Sequence, residues 1–545
     1  MVLLLALMIG VISTLGAEYL VKSPIPPTSF KKKISEDVYL VEKADLQILG
    51  LKRSGVLLEK NHKLKIFNVP LDPCLERWDL EFIRAYKAWD IFTGSEIVYV
   101  GLLDTGVDYN NPDLKVNLWK NTAECGGVPG IDDDGNGYVD DCFGVNVLCY
   151  PKGSYDPTAT GCNSPDALDD NGHGTHVAGI IGAVGNNNFL TVGINWKVKI
   201  IPCKFLNSAG IGDIAGEIEC LKYIRSLKER GLNVVAVNAS YGAIYPASDI
   251  QKSEISKLAD LDILYISAAG NWGFSNEENG VYPCNYDLEN QICVGAINPE
   301  GDKAYFSNYG QQKVKLLAPG EEIASLKSGS YSNDCQQSLV KISGTSMATG
   351  FVTGGVALLK GYNSLLNYKD LKKTIIINTR KNLNLSEHTY SCGVFDLYSL
   401  FTNETESFLC LSRLTIDFGT VSSCTTLRES LVVRNTGSNS LVVREISVNG
   451  KGFFLKSDNC SGKTLDPLEE CKLSVEFNPP KTGNYTGKIF FYTDKVVAEV
   501  NLKGKLDSSE LIVCYSSSGC NNGIGYAFVV IPLLFLKRLL KIRLL

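Results

Sequence analysis

Three residue types that cooperate in nucleophilic acyl chemistry stand in three separate, glycine-marked stretches of this chain. Ser346 lies in Ser343-Gly344-Thr345-Ser346-Met347-Ala348, just before the small and apolar run from Ala348 to Leu359. A helix of Ala, Gly, Val and Leu with no charged face is buried nearly all round. A serine at its start sits beside unbonded backbone N–H groups and the positive end of the helix dipole, which favours a developing negative charge. Taken alone, the stretch reads as an ordinary N-cap in a glycine turn. A serine hydroxyl becomes a nucleophile only when a base takes its proton, and the chain holds four histidines. His62 falls in a small leading segment and His388 in a polar loop. His173 and His176 lie in Asp170-Asn171-Gly172-His173-Gly174-Thr175-His176-Val177-Ala178-Gly179, a polar turn entering a small-residue helix. A base at such a boundary can face a cleft. The pair is also spaced to share a metal, but no third ligand is evident. A histidine base needs a carboxylate to fix its tautomer and stabilise the imidazolium. Asp104 offers one, at the end of the apolar strand Val98 to Leu103 and at a Thr-Gly turn.

Leu103-Asp104-Thr105-Gly106, His173 to Gly179 and Gly344 to Ala348 together resemble the subtilisin-like serine peptidases, whose chain order is Asp, His, Ser. The resemblance runs from about Asp72 to Leu400 and implies Asp104, His173 and Ser346 as a catalytic triad. It also implies that Asn271, in Ala268-Ala269-Gly270-Asn271, donates to the oxyanion of a tetrahedral intermediate. Ser240, Tyr241, Gly242, Ala268 and Gly270 would line the substrate cleft. Gly350 departs from the family, which usually has Pro four residues after the nucleophile. Protein or peptide substrates follow, with an acyl-enzyme intermediate. The rival reading is a catalytically retired surface protein using the same domains as a binding scaffold. A lipase or esterase is less favoured, because no Gly-x-Ser-x-Gly elbow is present.

Gly130 to Asp141 is dense in oxygen ligands, with Asp132, Asp134 and Asn136 at alternating positions, Gly137 for a sharp turn and Asp140 or Asp141 closing the loop. That spacing suits a hard cation such as structural Ca²⁺. The ligand set read from it is Asp132, Asp134, Asn136, Tyr138, Asp140 and Asp141. The resemblance implies a second calcium position at Asp113 and Asn186-Asn187-Asn188. No organic cofactor is expected.

These groups need a scaffold, and the 545 residues suffice for two or three domains. Apolar strands recur at 97–103, 198–201, 234–238, 263–268, 292–296 and 313–317, and helix-like segments lie at 173–183, 213–228 and 253–261. This alternation predicts an α/β fold with a mostly parallel sheet covered by helices, the three-layer arrangement of the resembled family. From about residue 411 the helices stop, and short strands with turn signals predict a smaller all-β, immunoglobulin-like sandwich. It loosely resembles choice-of-anchor and abnormal-spindle-type modules. The expected division is signal peptide 1–17, propeptide-like segment 18–70, peptidase domain 71–407, sandwich 408–506, and a polar linker, short apolar anchor and basic tail at 507–545.

Seventeen cysteines favour a secreted, disulfide-bonded chain over zinc sites. Cys284 with Cys293, and Cys460 with Cys471, are spaced for local bridges, whereas the pairing of Cys125, Cys142, Cys149 and Cys162 stays open. The tail resembles bacterial C-terminal sorting signals, with Cys520 as a processing or lipid-attachment point, which implies membrane or envelope attachment. A net charge of −6 argues against a general nucleic-acid binder.

Overall fold

The computed structural model describes residues 69–403, 406–422 and 426–507, together with the backbone of four strands in the leading segment. The expected signal peptide, His62 and the tail with Cys520 lie outside the described residues. The chain divides into two compact units, residues 1–69 and 70–545. In the first, Lys32–Lys33, Val38–Glu42, Glu18–Lys22 and Leu57–Lys60 form, in that order, an antiparallel sheet. Among the described residues no helix is long and apolar enough to cross a membrane.

The second unit is built on a nine-stranded sheet. Its strands are β1 (Gly94–Asp104), β2 (Val145–Asn146), β3 (Lys197–Lys204), β4 (Val234–Ala239), β5 (Leu264–Ala268), β6 (Gln291–Ile297), β7 (Leu316–Pro319), β8 (Arg380–Lys381) and β9 (Gly393–Val394). Their order is β8-β9-β7-β6-β5-β4-β1-β3-β2, parallel except where β8 meets β9. A parallel sheet is covered on both faces, so its strands are apolar almost throughout. Every residue of β4, β5 and β6 is buried.

Three helices that pack on this sheet carry or border the site: α1 (His173–Gly182), α2 (Ile214–Glu229) and α3 (Thr345–Tyr362). As its composition predicts, α3 is buried from Thr345 to Lys360. It lies against β1, β4, β5, β6 and β7 on one side and α1 on another. Small residues permit that approach. A Cβ on Gly354 would stand 2.7 Å from Ile194 Cβ, and one on Gly350 would stand 3.2 Å from Ile180 Cγ2. At Gly350 the helix therefore packs closely on α1.

Two elements differ from expectation. The strand expected at 313–317 forms at Leu316–Pro319, with Lys313 and Lys315 drawn to Asp287 at 3.9 and 2.7 Å. The helix expected at 253–261 runs instead from Asp249 to Ser256. Ser248 caps it by accepting from Gln251 N at 3.2 Å, a cap competent at sequence level. The chain then tightens into a 3₁₀ turn at Ala259–Leu261.

The described residues from 409 to 507 are all β. A four-stranded sheet takes Leu409–Leu411, Leu427–Asn435, Glu470–Phe477 and Phe453–Asp458, in spatial order. A five-stranded sheet takes Thr415–Ser422, Val497–Asp507, Gly483–Thr493, Leu441–Asn449 and Thr464–Leu465. A single apolar core draws on both, with Phe418, Phe453 and Phe477 in mutual contact. This all-β region is clamped to the α/β region. Cys392 bonds Cys410, and Arg434 lies 3.5 Å from the Tyr390 ring centroid while donating to the Tyr390 carbonyl at 2.9 Å.

Seven disulfides lie among the described residues. Cys284–Cys293 and Cys460–Cys471 form as expected, and the open set resolves into Cys125–Cys142 and Cys149–Cys162. Cys74–Cys335 closes a separation of 261 residues against 9 for Cys284–Cys293. Chain entropy ranks their stabilisation at about 5.6 and about 2.6 kcal/mol. Urea unfolding of the paired Cys→Ala variants is expected to show the larger loss for Cys74/Cys335. Equal losses would remove loop closure as the cause.

Candidate active site

The parallel strands bring their C-terminal ends to one edge, and the three glycine-marked stretches meet there. β1 delivers Asp104 buried, and Gly172, at φ +106°, turns the chain into α1. Asp169 latches the two loops. Its Oδ1 accepts from Thr105 Oγ1 (2.9 Å), Asn171 N (3.0 Å) and Gly172 N (2.9 Å), and its Oδ2 accepts from Thr175 N (3.0 Å). Thr105 Oγ1 in turn accepts from Gly174 N at 3.0 Å. Lys204, wholly buried, donates to the carbonyls of Thr105 and Leu206 and to Asp170 Oδ1. The outcome is His173 Nδ1 held 2.7 Å from Asp104 Oδ1, with the His173 side chain 26% exposed.

That contact sets the tautomer. With the Nδ1 proton donated to Asp104, Nε2 is left as the accepting nitrogen. Burial pushes the imidazole pKa down, but the Asp104 charge and hydrogen bond outweigh it, so the net shift is upward from 6.5.

Ser346 opens α3, where no helical carbonyl is available to its N–H. Its Oγ donates to the Ser240 carbonyl at 2.8 Å, and Ser240 Oγ donates to the Ser346 carbonyl at 2.8 Å. Between Ser346 Oγ and His173 Nε2 there is no hydrogen bond, a looseness common before substrate is bound. Asn271 Oδ1 accepts from Thr345 N and Oγ1, each at 2.9 Å, and Thr345 Oγ1 accepts from Gly270 N at 3.1 Å. The amide oxygen is thus occupied, and Nδ2 has no partner among the described residues. His173, Ser240, Tyr241, Gly242, Ala268, Gly270, Asn271 and Ser346 line one cavity of about 450 Å³. Asp104 stands behind His173.

His176 does something else. It is buried, and Nε2 donates to the carbonyls of Ile323 and Val340 at 3.0 and 3.1 Å. Burial lowers its pKa to about 3. It is a neutral core donor, and the metal-sharing alternative fails. His388 packs edge-on against the Tyr309 ring, and burial pushes its pKa down.

The acidic loop gathers differently from its spacing. Carboxylate oxygens of Glu124, Asp132 and Asp134 lie within 4.8 Å of one another. The loop backbone donates into them, through Asn136 N and Gly137 N to Asp132 and through Asp133 N and Asp134 N to Glu124. Asn136 Nδ2 donates to Asp141 Oδ2 at 2.9 Å. The side chains of Tyr138, Asp140 and Asp141 turn to other partners: Glu219, Gly130 N, and Asn121 with Tyr223. Burial raises Asp141 to about 7. Three converging carboxylates fit a hard cation. Asp113 is buried, accepts from Asn187 Nδ2 at 2.8 Å, and has its pKa pushed to about 7 by burial. Asp72 accepts from Asn186 N and Asn187 N of the same loop.

Sequence reasoning missed Asp169, Thr105, Lys204, Thr345 and Glu124. The pair Asp169-Asp170 before Asn171-Gly172 was a legible signal for a capped turn. Glu124 and Lys204 act across distances that no local pattern reveals.

A subtilase family profile matches residues 95–394, more than half of the chain, and a HYDIN/CFA65/VesB-like, Ig-like domain profile matches residues 408–506. The chain belongs to the subtilase family. It is 32% identical over 333 residues to subtilisin-like protease 1 of Plasmodium berghei, covering 57% of this chain and 50% of that one. It is 30% identical over 339 residues to an intracellular serine protease of Paenibacillus polymyxa, covering 60% and 88%. A crystal structure of a cold-adapted subtilisin-like serine proteinase aligns with a TM-score of 0.40 at 24% identity, covering 55% and 88%. The chain spans about half the length of the Plasmodium relative.

The geometry predicts that His173 titrates above 6.5 and that Asp104→Asn lowers its pKa. Imidazole NMR against pH checks both. An unshifted titration in Asp104→Asn would refute the pairing. Because a base works only when neutral, any rate that depends on His173 should rise with pH through that raised value.

Proposed function

We propose that the chain is a serine endopeptidase acting by acyl transfer on protein or peptide substrates. One observation carries the reading: His173 oriented by Asp104 shares a cavity with Ser346 and Asn271. The Ser346 hydroxyl leaves the Ser240 carbonyl and presents its proton to His173 Nε2 as Oγ attacks the substrate carbonyl. Asp104 stabilises the imidazolium that forms. Asn271 Nδ2 and the Ser346 N–H receive the oxyanion, fixed dipoles that need no reorganisation. His173 then protonates the departing amine, and water releases the acyl group by the reverse sequence. All groups this chemistry needs are present, so a retired scaffold is the less favoured reading.

A bound Ca²⁺ would offset most of the charge of Glu124, Asp132 and Asp134 and stiffen the loop that Cys125–Cys142 staples; it would take no part in bond making. We further assign residues 18–70 to an inhibitory propeptide and the protein to the secretory route, held at the cell surface or envelope through its tail.

Full-length protein should cleave casein, and Ser346→Ala should abolish cleavage. Asn271→Ala should lower kcat by about 10²–10³, the cost of one oxyanion donor in this chemistry. Full activity in Ser346→Ala would sink the proposal. Chelation should lower the melting temperature and added Ca²⁺ restore it, since a ligand bound only by the native state stabilises it. A melting temperature indifferent to both would remove the ion.

A further inference from the structure

A second cavity, of about 650 Å³, adjoins the cleft, and Tyr241 and Gly242 line both. Its walls include Phe205 and Ile214 and the rings of Tyr241, Tyr245 and Tyr282. Two carboxylates also line it, Asp213 at the start of α2 and Glu217 one turn on, while no Lys, Arg or His does. Asp213 is exposed and caps α2 through Oδ1. Glu217 is 2% exposed. It accepts from Tyr265 Oη at 2.7 Å and from Gln251 Nε2. Gln251 Oε1 is itself occupied by Tyr245 and Tyr286. Neutral donors thus hold the carboxylate in place, but no cationic side chain among the described residues pairs with it. Burial raises its pKa, and neutral hydrogen bonds alone oppose the shift.

A buried carboxylate with no countercharge is costly, and the cost falls when a cation arrives with good geometry. Aromatic and aliphatic walls suit the methylene stem of a long side chain, and tyrosine faces attract its charged end. A purely apolar occupant would fill the walls and leave the carboxylate uncompensated. We propose that this cavity is a specificity pocket for a basic side chain, Arg or Lys, of a substrate residue on the acyl side of the scissile bond, with Glu217 as its acceptor. The proposal rests on the peptidase reading and names the substrate class for it.

The test compares paired peptide substrates differing only by Arg against norleucine at each position preceding the scissile bond in turn. At one upstream position wild-type protein should favour Arg in kcat/KM by about tenfold or more, the worth of one desolvated charge pair. Glu217→Gln should bring that ratio towards one. Ile211→Arg, at an exposed residue of the cavity rim, should lower it too and does not disturb the core. Equal rates for Arg and norleucine at every position, or a preference for norleucine, would overturn the proposal while leaving the peptidase intact. Fluorescein-labelled Arg and norleucine peptides bound to Ser346→Ala, read by anisotropy, give the same comparison without turnover. Failure of both peptides to bind, with no cleavage by wild type, would overturn the pocket and the peptidase reading together.

Discussion

The structure depends on the burial of one helix that has no exposed face over its first sixteen residues. From Thr345 to Lys360 the side chains of α3 are enclosed by the sheet and α1, and the glycines along it set how closely they approach. Apolar burial at roughly 25 cal/mol per Å² drives this and is non-directional, but the pitch of the helix leaves little freedom at its end. Seating α3 under the sheet brings Ser346 to the edge where β1 and β5 finish, into the cavity that His173 and Gly270 also line. The proposed nucleophile is therefore positioned by hydrophobic packing along the remaining turns of its helix. Its own hydrogen bonds, both with Ser240, are secondary to that.

Polar latches supply the direction that packing lacks. Asp169 accepts from five donors on the two loops that carry Asp104 and His173, the Thr175 hydroxyl included, and buried Lys204 ties Thr105, Asp170 and Leu206 into the same corner. Hydrogen bonds to charged groups are worth about 1.5–3 kcal/mol each. Such a network specifies one arrangement of the two loops. Thr345 does the same for Asn271 by occupying its amide oxygen, which orients the amide nitrogen without touching it. Positioning residues thus act on the faces of the reactive groups that face away from substrate.

The disulfides take over where the core thins. The acidic loop has few apolar side chains, and Cys125–Cys142 and Cys149–Cys162 frame it. The all-β region meets the α/β region through a covalent bridge and a stacked Arg434–Tyr390 pair. That contact fixes its placement, whereas a bare linker would leave it free to swing.

Much of this was legible in the chain itself. The sheet, the buried helix and the groups of the candidate site were readable because each is local: strand-end Asp104 in its Thr-Gly turn, His173 at a turn-to-helix boundary, Ser346 just before an uncharged run from Ala348 to Leu359. Periodicity and composition encode such features over a few residues. What only the tertiary structure decided involves partners far apart in sequence. Glu124 joins Asp132 and Asp134, Cys74 finds Cys335, and Glu217 reaches a cavity beside Tyr241. Those pairings depend on which surfaces the parallel crossovers bring together, and no local pattern carries that information. The same physics separates His173 from His176. They are three residues apart and nearly identical in context, yet one faces the cleft and its carboxylate while the other faces the core and two carbonyls.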